Sequence, residues 1–307
     1  MNVLIVGATG DVGSEAAKCA VEKGHRVRAL VRNTSNREKL AEAKDKTEFS
    51  EGDILDKASL ELAMEGMEAL VISIRLTPGE QKKGLTYKDV ELGGVKNLVE
   101  VAKQKGIKKI IHVSADGVGP ECVSDMYQSK HQAEEAIRNS GIDYTIFKPS
   151  GMFKDFIFFH IPNVFKMGET SMWPFGPIEF HMSPLSHIDL AKCMIDALSN
   201  PAASNKTLGI GGPDCITQGD LLNMIAKEAG IKASYTQSVS KEQLIEMVKN
   251  NPQKSFFTAE QIKDFINDSK LDHTVIKEIF GIEFQHVEDF LKKAVPIVKA
   301  SMAKQEK

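Results

Sequence analysis

Three glycines near the start of the chain are spaced for binding a diphosphate. They lie in Gly7-Ala8-Thr9-Gly10-Asp11-Val12-Gly13, between an apolar stretch and a helix-like pattern. Gly7 permits a tight turn, Gly10 lets backbone approach a pyrophosphate, and Gly13 lets the helix pack closely on the strand. Amides of the first helical turn and the helix dipole favour the anion. A glycine-rich turn without a ligand is the alternative, which three costly glycines disfavour. The residues expected to bind a dinucleotide here are Gly7, Thr9, Gly10, Asp11, Val12 and Gly13.

The end of the next apolar stretch indicates which dinucleotide is bound. Arg32 and Asn33 follow Leu30-Val31 about 20 residues after the loop, where a carboxylate would bind a free ribose 2′-hydroxyl. A guanidinium binds a 2′-phosphate with paired hydrogen bonds, whereas a carboxylate repels it. We therefore predict NADP (NADPH) rather than NAD, bound by Arg32 and Asn33. A solvated arginine at a strand end is the alternative.

Two more strand ends carry candidate cofactor ligands. Asp53 and Ile54 follow the third apolar stretch, where the Asp53 carboxylate would accept a hydrogen bond from the adenine amino group. A plain turn aspartate is the competing interpretation. Ser73 and Ile74 end the fourth stretch, at the same carboxyl edge where ligands of parallel sheets bind.

Short β-branched runs alternate with helix-like periods through the first half of the chain. One such helix places Val95, Leu98, Val99 and Ala102 at i, i+3, i+4 and i+7, the spacing of a buried face. Repeated strand–helix–strand units predict a parallel sheet with helices on both faces, which is a doubly wound Rossmann α/β fold. The candidate strands cover residues 2–6, 26–32, 47–50, 69–74, 109–114 and 144–147.

The character of the chain changes after Pro149. Residues 151–183 are rich in Phe, Met, Gly and Pro and lack a clean period. A helix is predicted over 187–198, with Ile188, Ala191, Ile195 and Leu198 on one side, followed by a strand at 207–210. The C-terminal helix should bury Val287, Phe290, Leu291, Ala294, Val295 and Val298. We expect a dinucleotide-binding domain over 1–150, to which 184–212 return, and a smaller, mainly helical substrate-binding cap over 151–307.

The net charge and the cysteine content argue against several classes of binding partner. The 307 residues carry 39 basic and 42 acidic side chains, a net charge of −3, which argues against nucleic acid or an anionic membrane. Four scattered cysteines give no zinc-site or disulfide spacing, so no metal is expected. No secretory leader and no apolar run of membrane-spanning length are recognised, so we expect a cytoplasmic protein without membrane insertion.

These residues together resemble the atypical short-chain dehydrogenase/reductases, specifically the NmrA-like branch of NAD(P)-binding Rossmann proteins. The resemblance covers roughly residues 1–230. The placement of Phe153-Lys154 and the turn Gly211-Gly212-Pro213 are also similar to the layout of divinyl chlorophyllide reductases. The matching stretches are residues 3–13, 30–33, 52–54, 111–114, 129–135, 140–149, 184–191 and 208–213. The resemblance implies that Pro149, which ends one of these stretches, contacts the cofactor.

The resemblance also implies catalytic residues. Members typically use a Ser, a Tyr and a Lys four residues after the Tyr, so that the lysine holds the ribose and lowers the tyrosine pKa. Lys130 aligns with that lysine, and Ser114 ends the fifth strand. The position four residues before Lys130 is Met126, and Tyr127 is one residue too close. Either Tyr127 substitutes or no tyrosine acid exists, and the second is favoured. In a purely structural role Lys130 would pair with Glu134.

An aromatic segment is the candidate acceptor site. It would suit a flat, apolar or aromatic acceptor such as a quinone. The core of the cap, or a contact in a homodimer, explains the same residues equally well. Lys154 or His160 would supply a proton if no tyrosine does. The aromatic residues are Phe153, Phe156, Phe158, Phe159, Trp173, Phe175 and Phe180.

Two functions follow from the sequence. The first is an NADPH-dependent reductase that transfers hydride to a small, apolar or aromatic acceptor. The second is a non-catalytic NADP(H)-binding sensor or assembly factor, which the displaced tyrosine fits and which the NmrA-like branch includes. A nucleotide-sugar epimerase or dehydratase is disfavoured without the tyrosine.

Overall fold

The structure, a computed structural model, describes residues 1–255 and 257–305. The chain forms two compact units, and it passes between them several times. The first unit consists of Met1–Lys148, His187–Leu208 and Glu278–Ile282. The second consists of Pro149–Ser186, Gly209–Lys277 and the chain from Glu283 onward.

A seven-stranded sheet organises the first unit. Its order is β3-β2-β1-β4-β5-β6-β9, and the pairings from β3 through β6 are parallel. The predicted α/β doubly wound fold is therefore confirmed. The strands are β1 Asn2–Val6, β2 Arg26–Val31, β3 Thr47–Glu51, β4 Ala69–Ile72, β5 Lys109–Val113, β6 Asp143–Pro149, β7 Met172–Trp173, β8 His181–Met182, β9 Lys206–Ile210, β10 Ile216–Thr217 and β11 Gln237–Ser238.

The helices follow the predicted alternation with the strands. A 3-10 segment, Glu38–Lys46, precedes β3, and a π-helical turn, Lys88–Gly94, runs directly into the fourth helix. The helices are α1 Asp11–Glu22, α2 Lys57–Ala63, α3 Pro78–Gln81, α4 Val95–Lys105, α5 Asp125–Arg138, α6 Phe158–Met167, α7 His187–Asp196, α8 Gln218–Ala229, α9 Lys241–Asn250, α10 Ala259–Phe265, α11 His273–Phe280 and α12 Val287–Gln305.

Helices cover the sheet on both faces. Leu4, Leu70 and Ile110 lie in one core with apolar residues of α2, α4 and α5. The predicted buried face of α4 belongs to this core. On the other face, α1 packs against β1 and β2, and α7 packs against α1. The prediction was wrong for Ile188, which is exposed because α7 buries its stripe through Leu190, Ala191, Met194 and Ile195 instead.

The second unit has its own aromatic and aliphatic core. Phe153 and Trp173 are fully buried there, together with apolar residues of α6, α8 and α12. The predicted stripe on α12 is confirmed, since its residues all pack into this core. Two short strand pairs, β7 with β11 and β8 with β10, complete the unit. In the described part of the chain, no helix combines the length and the apolar character needed to cross a membrane.

Candidate cofactor site

The glycine loop connects β1 to α1 in a conformation that requires glycine. Gly7 has φ +85°, and a Cβ on it would lie 2.0 Å from the Ser73 carbonyl oxygen. A Cβ on Gly13 would lie 2.2 Å from the Gly7 carbonyl oxygen, so α1 can begin this close to the loop only without a side chain there. The Gly10 amide closes the turn on the Gly7 carbonyl at 3.0 Å. The loop therefore has the shape predicted for a phosphate cradle.

The first turn of α1 begins at a glycine and is partly exposed. Gly10 is the N-cap residue and provides no side-chain cap. Gly10 is exposed, and Thr9, Asp11 and Val12 are partly exposed. The Asp11 carboxylate lies 2.8 Å from the Lys39 ammonium. This helix end fits a diphosphate, because N-terminal amides and the helix dipole both favour negative charge.

The ends of β2, β3 and β4 lie at the same edge as the loop, as predicted from parallel strands. Ser73 directly contacts the loop, and Ile74 Cγ2 would lie 3.4 Å from a Cβ on Gly7. At the end of β3, one Asp53 carboxylate oxygen accepts the Leu55 amide at 2.9 Å, which is a turn contact. The Ile54 carbonyl accepts a hydrogen bond from Asn97.

Arg32 and Asn33 are exposed where β2 ends. The Arg32 guanidinium is paired, with Nη1 2.5 Å from Oε1 of Glu80 on α3. Glu80 is almost fully buried, whereas about half of the Arg32 side chain is exposed, 46%. The arginine can therefore reach a ligand while one edge of its guanidinium is held by the protein.

Ser114 follows β5 and is committed to a buried carboxylate. Its hydroxyl donates to Glu134 Oε1 at 2.5 Å, and Arg138 reaches the other oxygen of Glu134 at 2.6 Å. Glu134 is 1% exposed. Ser114 is thereby fixed beneath α5, with a hydroxyl lone pair left to accept a hydrogen bond.

Lys130 lies one turn before Glu134 on α5, but its partner is a glutamate from another element. Its ammonium lies 2.6 Å from Oε2 of Glu91, in the π-helical turn. The predicted pairing of Lys130 with Glu134 was wrong, because Glu134 pairs with Arg138 instead. On a helix, a glutamate four residues before a cation pairs better than a glutamate four residues after it. Glu91 is 4% exposed, and its Oε1 accepts the Leu76 amide at 3.1 Å. A buried carboxylate therefore holds Lys130 in place.

The structure places the remaining predicted positions on α5 and β6. Tyr127 is buried on α5, and its amide donates to the N-cap hydroxyl of Ser124. Pro149 is the buried last residue of β6. Beneath α5, burial and the charges of Lys130 and Arg138 lower the pKa of His112 to about 3, so its imidazole is neutral. Neither ring nitrogen of His112 has a hydrogen-bond partner in the described part of the molecule.

Sequence reasoning missed Glu80 and Glu91, which hold the candidate cations, and it gave Glu134 the wrong partner. For Glu80 a signal was available, since Thr77-Pro78-Gly79-Glu80 is a capping-box pattern, and the structure forms that box. Glu91 lies between Val90 and Leu92 and gives no local signal. Residues 1–255 and 257–305 contain no cluster of three His, Cys, Asp or Glu side chains placed for a metal ion.

The aromatic segment lies in the second unit and is mostly core. His160 is stacked on Trp173 at 5.4 Å, and its Nδ1 donates to the Phe156 carbonyl at 2.7 Å. Burial lowers the pKa of His160 to about 4, which makes it a neutral core residue rather than a proton donor at neutral pH. Phe159 and Phe175 are exposed and meet edge to face, with centroids 6.3 Å apart.

The sheet order and the glycine loop define an NAD(P)-binding Rossmann protein. The family model described as the NmrA-like family matches residues 1–291, so the chain belongs to that family. Among solved structures, a quinone oxidoreductase from Escherichia coli, described as NADPH-dependent, has a TM-score of 0.75 at 18% identity. The match covers 95% of this chain and 98% of that one, and it shows the shared fold.

Two sequence relatives differ in their described roles. A photosystem II assembly factor, Ycf39 of Cyanophora paradoxa, is 26% identical over 77% of this chain and 71% of its own. An NAD(P)H azoreductase of Xenophilus azovorans is 23% identical over 76% of each chain. The chain is thus similar both to a protein named as a reductase and to a protein named as an assembly factor.

Proposed function

We propose that this protein is an NADPH-dependent reductase that transfers hydride to a small, apolar or aromatic acceptor. The observation that carries the proposal is the loop after β1, where Gly7 and Gly13 have no room for a Cβ and the N-cap residue of α1 is the exposed Gly10. Such a loop suits a diphosphate. We propose that the first unit binds the dinucleotide and that the second supplies the acceptor site.

The chain's own residues would bind and orient the cofactor. In this proposal Arg32 and Asn33 hold the 2′-phosphate, Asp53 and Ile54 border the adenine, and Ser73 and Ile74 line the loop. Lys130, fixed by Glu91, donates hydrogen bonds to the ribose hydroxyls of the nicotinamide half. Ser114 and Pro149 line the nicotinamide pocket. When bound, the reduced nicotinamide supplies a hydride.

The acceptor class is inferred from the second unit and from the relatives. The exposed ring pair of Phe159 and Phe175 offers flat apolar surface. An azo compound and a quinone are the acceptors in the names of two similar proteins. Because Met126 replaces the expected tyrosine and His160 is a neutral core residue, the proton that follows the hydride is taken from Lys154 or from water in this proposal.

The cofactor assignment is tested by reversing the charge at the end of β2. Arg32→Glu should weaken NADPH binding by about tenfold or more, because a charge-assisted pair becomes a repulsion, and should spare NADH. Isothermal titration with both cofactors measures this. Arg26→Glu, at the exposed opposite end of β2, is the matched control and should change neither affinity. Equal loss of both cofactors in Arg32→Glu would refute the NADP assignment.

A non-catalytic NADP(H) sensor or assembly factor is the second candidate. Met126 in place of a tyrosine favours it, as does the similarity to a photosystem assembly factor. NADPH oxidation with a panel of quinones and azo compounds separates the two functions. Turnover that Lys130→Ala reduces would support the reductase. Tight NADPH binding without turnover, together with capture of a protein partner, would support the sensor.

A further inference from the structure

Glu80 is an immobile carboxylate beside the arginine that we assign to the 2′-phosphate. One of its oxygens, Oε2, accepts hydrogen bonds from the Thr77 amide at 2.7 Å and the Thr77 hydroxyl at 2.6 Å. The Glu80 amide donates back to the Thr77 hydroxyl at 3.3 Å, which completes the capping box of α3. The other oxygen, Oε1, faces Arg32. The carboxylate is thus fixed from one side by the capping box.

The charge on Glu80 persists at neutral pH. Burial raises the pKa of this carboxyl, but hydrogen bonds from Thr77 and Arg32 outweigh burial, and the pKa lies below its ordinary value. Only 11% of the Glu80 side chain is exposed, against 46% for Arg32. The glutamate is therefore the stationary member of the pair, and the arginine is the member that meets solvent and ligand.

A fixed negative charge here affects the two dinucleotides differently. A phosphate monoester carries about two negative charges at neutral pH, whereas the free 2′-hydroxyl of NADH carries none. Glu80 neutralises part of the Arg32 charge and repels a dianion bound to the same guanidinium. Glu80 does not repel the uncharged 2′-hydroxyl of NADH in this way. A carboxylate oxygen can instead accept a hydrogen bond from such a hydroxyl.

We propose that Glu80 is a specificity-determining residue that restrains the preference of this site for NADPH over NADH. This inference rests on the proposed function, because it requires Arg32 to meet the 2′-phosphate. The consequence is a protein that discriminates only moderately between the two cofactors, since Arg32 and Glu80 act in opposite directions at one position.

The test is the ratio of the NADH and NADPH dissociation constants, measured by isothermal titration. Glu80→Gln keeps an oxygen for the Thr77 hydrogen bonds and removes the charge. It should strengthen NADPH binding roughly tenfold and leave NADH unchanged, the size expected of one charge partly screened by solvent. Glu80→Ala removes the same charge by truncation and should shift the ratio in the same direction, which guards against a variant that fails to fold.

A second capping acid supplies the matched control. Asp89 accepts hydrogen bonds from the amide and hydroxyl of Thr86 in the same way that Glu80 accepts those of Thr77. Asp89→Asn should leave the ratio of the two dissociation constants unchanged. A change as large as that of Glu80→Gln would attribute the effect to loss of a cap and overturn the proposal.

The outcomes separate this inference from the proposed function. If Arg32→Ala lowers the preference for NADPH and Glu80→Gln leaves it unchanged or lowers it, the role of Glu80 is refuted and the cofactor assignment stands. If Arg32→Ala has no effect on the ratio, the 2′-phosphate assignment fails and the role of Glu80 fails with it. A rise in the ratio for both Glu80 variants, with Asp89→Asn silent, supports the inference.

Discussion

We expect the ion pair between Lys130 and Glu91 to stabilise the first unit by an amount that can be measured. The side chains are 13% and 4% exposed, and the charged atoms are 2.6 Å apart. Removing one partner of a buried pair leaves an uncompensated charge and costs about 3–5 kcal/mol. Because water retains some access to Lys130, we expect Glu91→Gln to destabilise the first unit by about 3 kcal/mol, the lower end of that range.

A double-mutant cycle isolates the pair from the individual side chains. Lys130→Met should cost an amount similar to that of Glu91→Gln, since it leaves the buried Glu91 carboxylate without its cation while Oε1 still accepts the Leu76 amide. The double variant should cost no more than either single one, about 3 kcal/mol, which gives a coupling energy of about 3 kcal/mol. Glu100→Gln is the control, because its pair with Lys57 has the same kind of contact at 2.7 Å but is about half exposed. That variant should cost less than about 1 kcal/mol.

The assay must report on the first unit alone. The single tryptophan, Trp173, is buried in the second unit, so its emission follows that unit. The free energy of unfolding near the pair can be measured from the hydrogen exchange of the α5 amides at increasing urea concentrations. Additive effects in the double variant, or single effects no larger than that of Glu100→Gln, would show that the pair is not energetically coupled and that Glu91 does not hold Lys130.

Two other predictions concern the glycine loop and the C-terminal helix. Gly13→Ala should abolish detectable NADPH binding by isothermal titration, because the added methyl would meet the Gly7 carbonyl at 2.2 Å; unchanged affinity would contradict the loop geometry. A hydrogen bond from His286 to Asp214 at 2.8 Å, with the charge of that carboxylate, raises the pKa of His286 above its ordinary value. The stabilisation is therefore fully present below about pH 6.5, the unfolded pKa, and is lost as pH rises through the folded pKa. Thermal midpoints against pH should show this loss, His286→Gln should remove it, and identical profiles would refute the contribution.

Local patterns were sufficient to predict the fold. The strands of a parallel sheet are buried on both faces, so they appear in the sequence as continuous apolar runs such as Val3–Val6. Such runs therefore predict where the strands lie along the chain. The predicted end of β4, Ile74, was two residues too late, since the strand ends at Ile72. Ser73 is small and Ile74 is apolar, so the sequence pattern does not separate them from the strand. Strand ends are set by backbone turns rather than by hydrophobicity.

The candidate site was predictable where one element supplies it and not where two distant elements meet. The glycine loop and Arg32 lie at fixed distances from strand ends, so their spacing alone indicates a dinucleotide. Glu80 and Glu91 reach Arg32 and Lys130 through the path taken by the chain after β4, which no periodicity encodes. The cofactor roles of the predicted residues stay predictions.

The discontinuous make-up of the first unit determines how the protein can be made and cut. A polypeptide that stops at residue 150 lacks β9, the outermost strand, and α7, the helix that covers α1. Such a fragment would expose the open edge of β6 and the apolar side of α1 to other chains. During synthesis, moreover, the sheet cannot be completed until the ribosome has passed residue 210. Recombinant work on cofactor binding therefore needs the entire polypeptide, and a soluble amino-terminal half should not be expected.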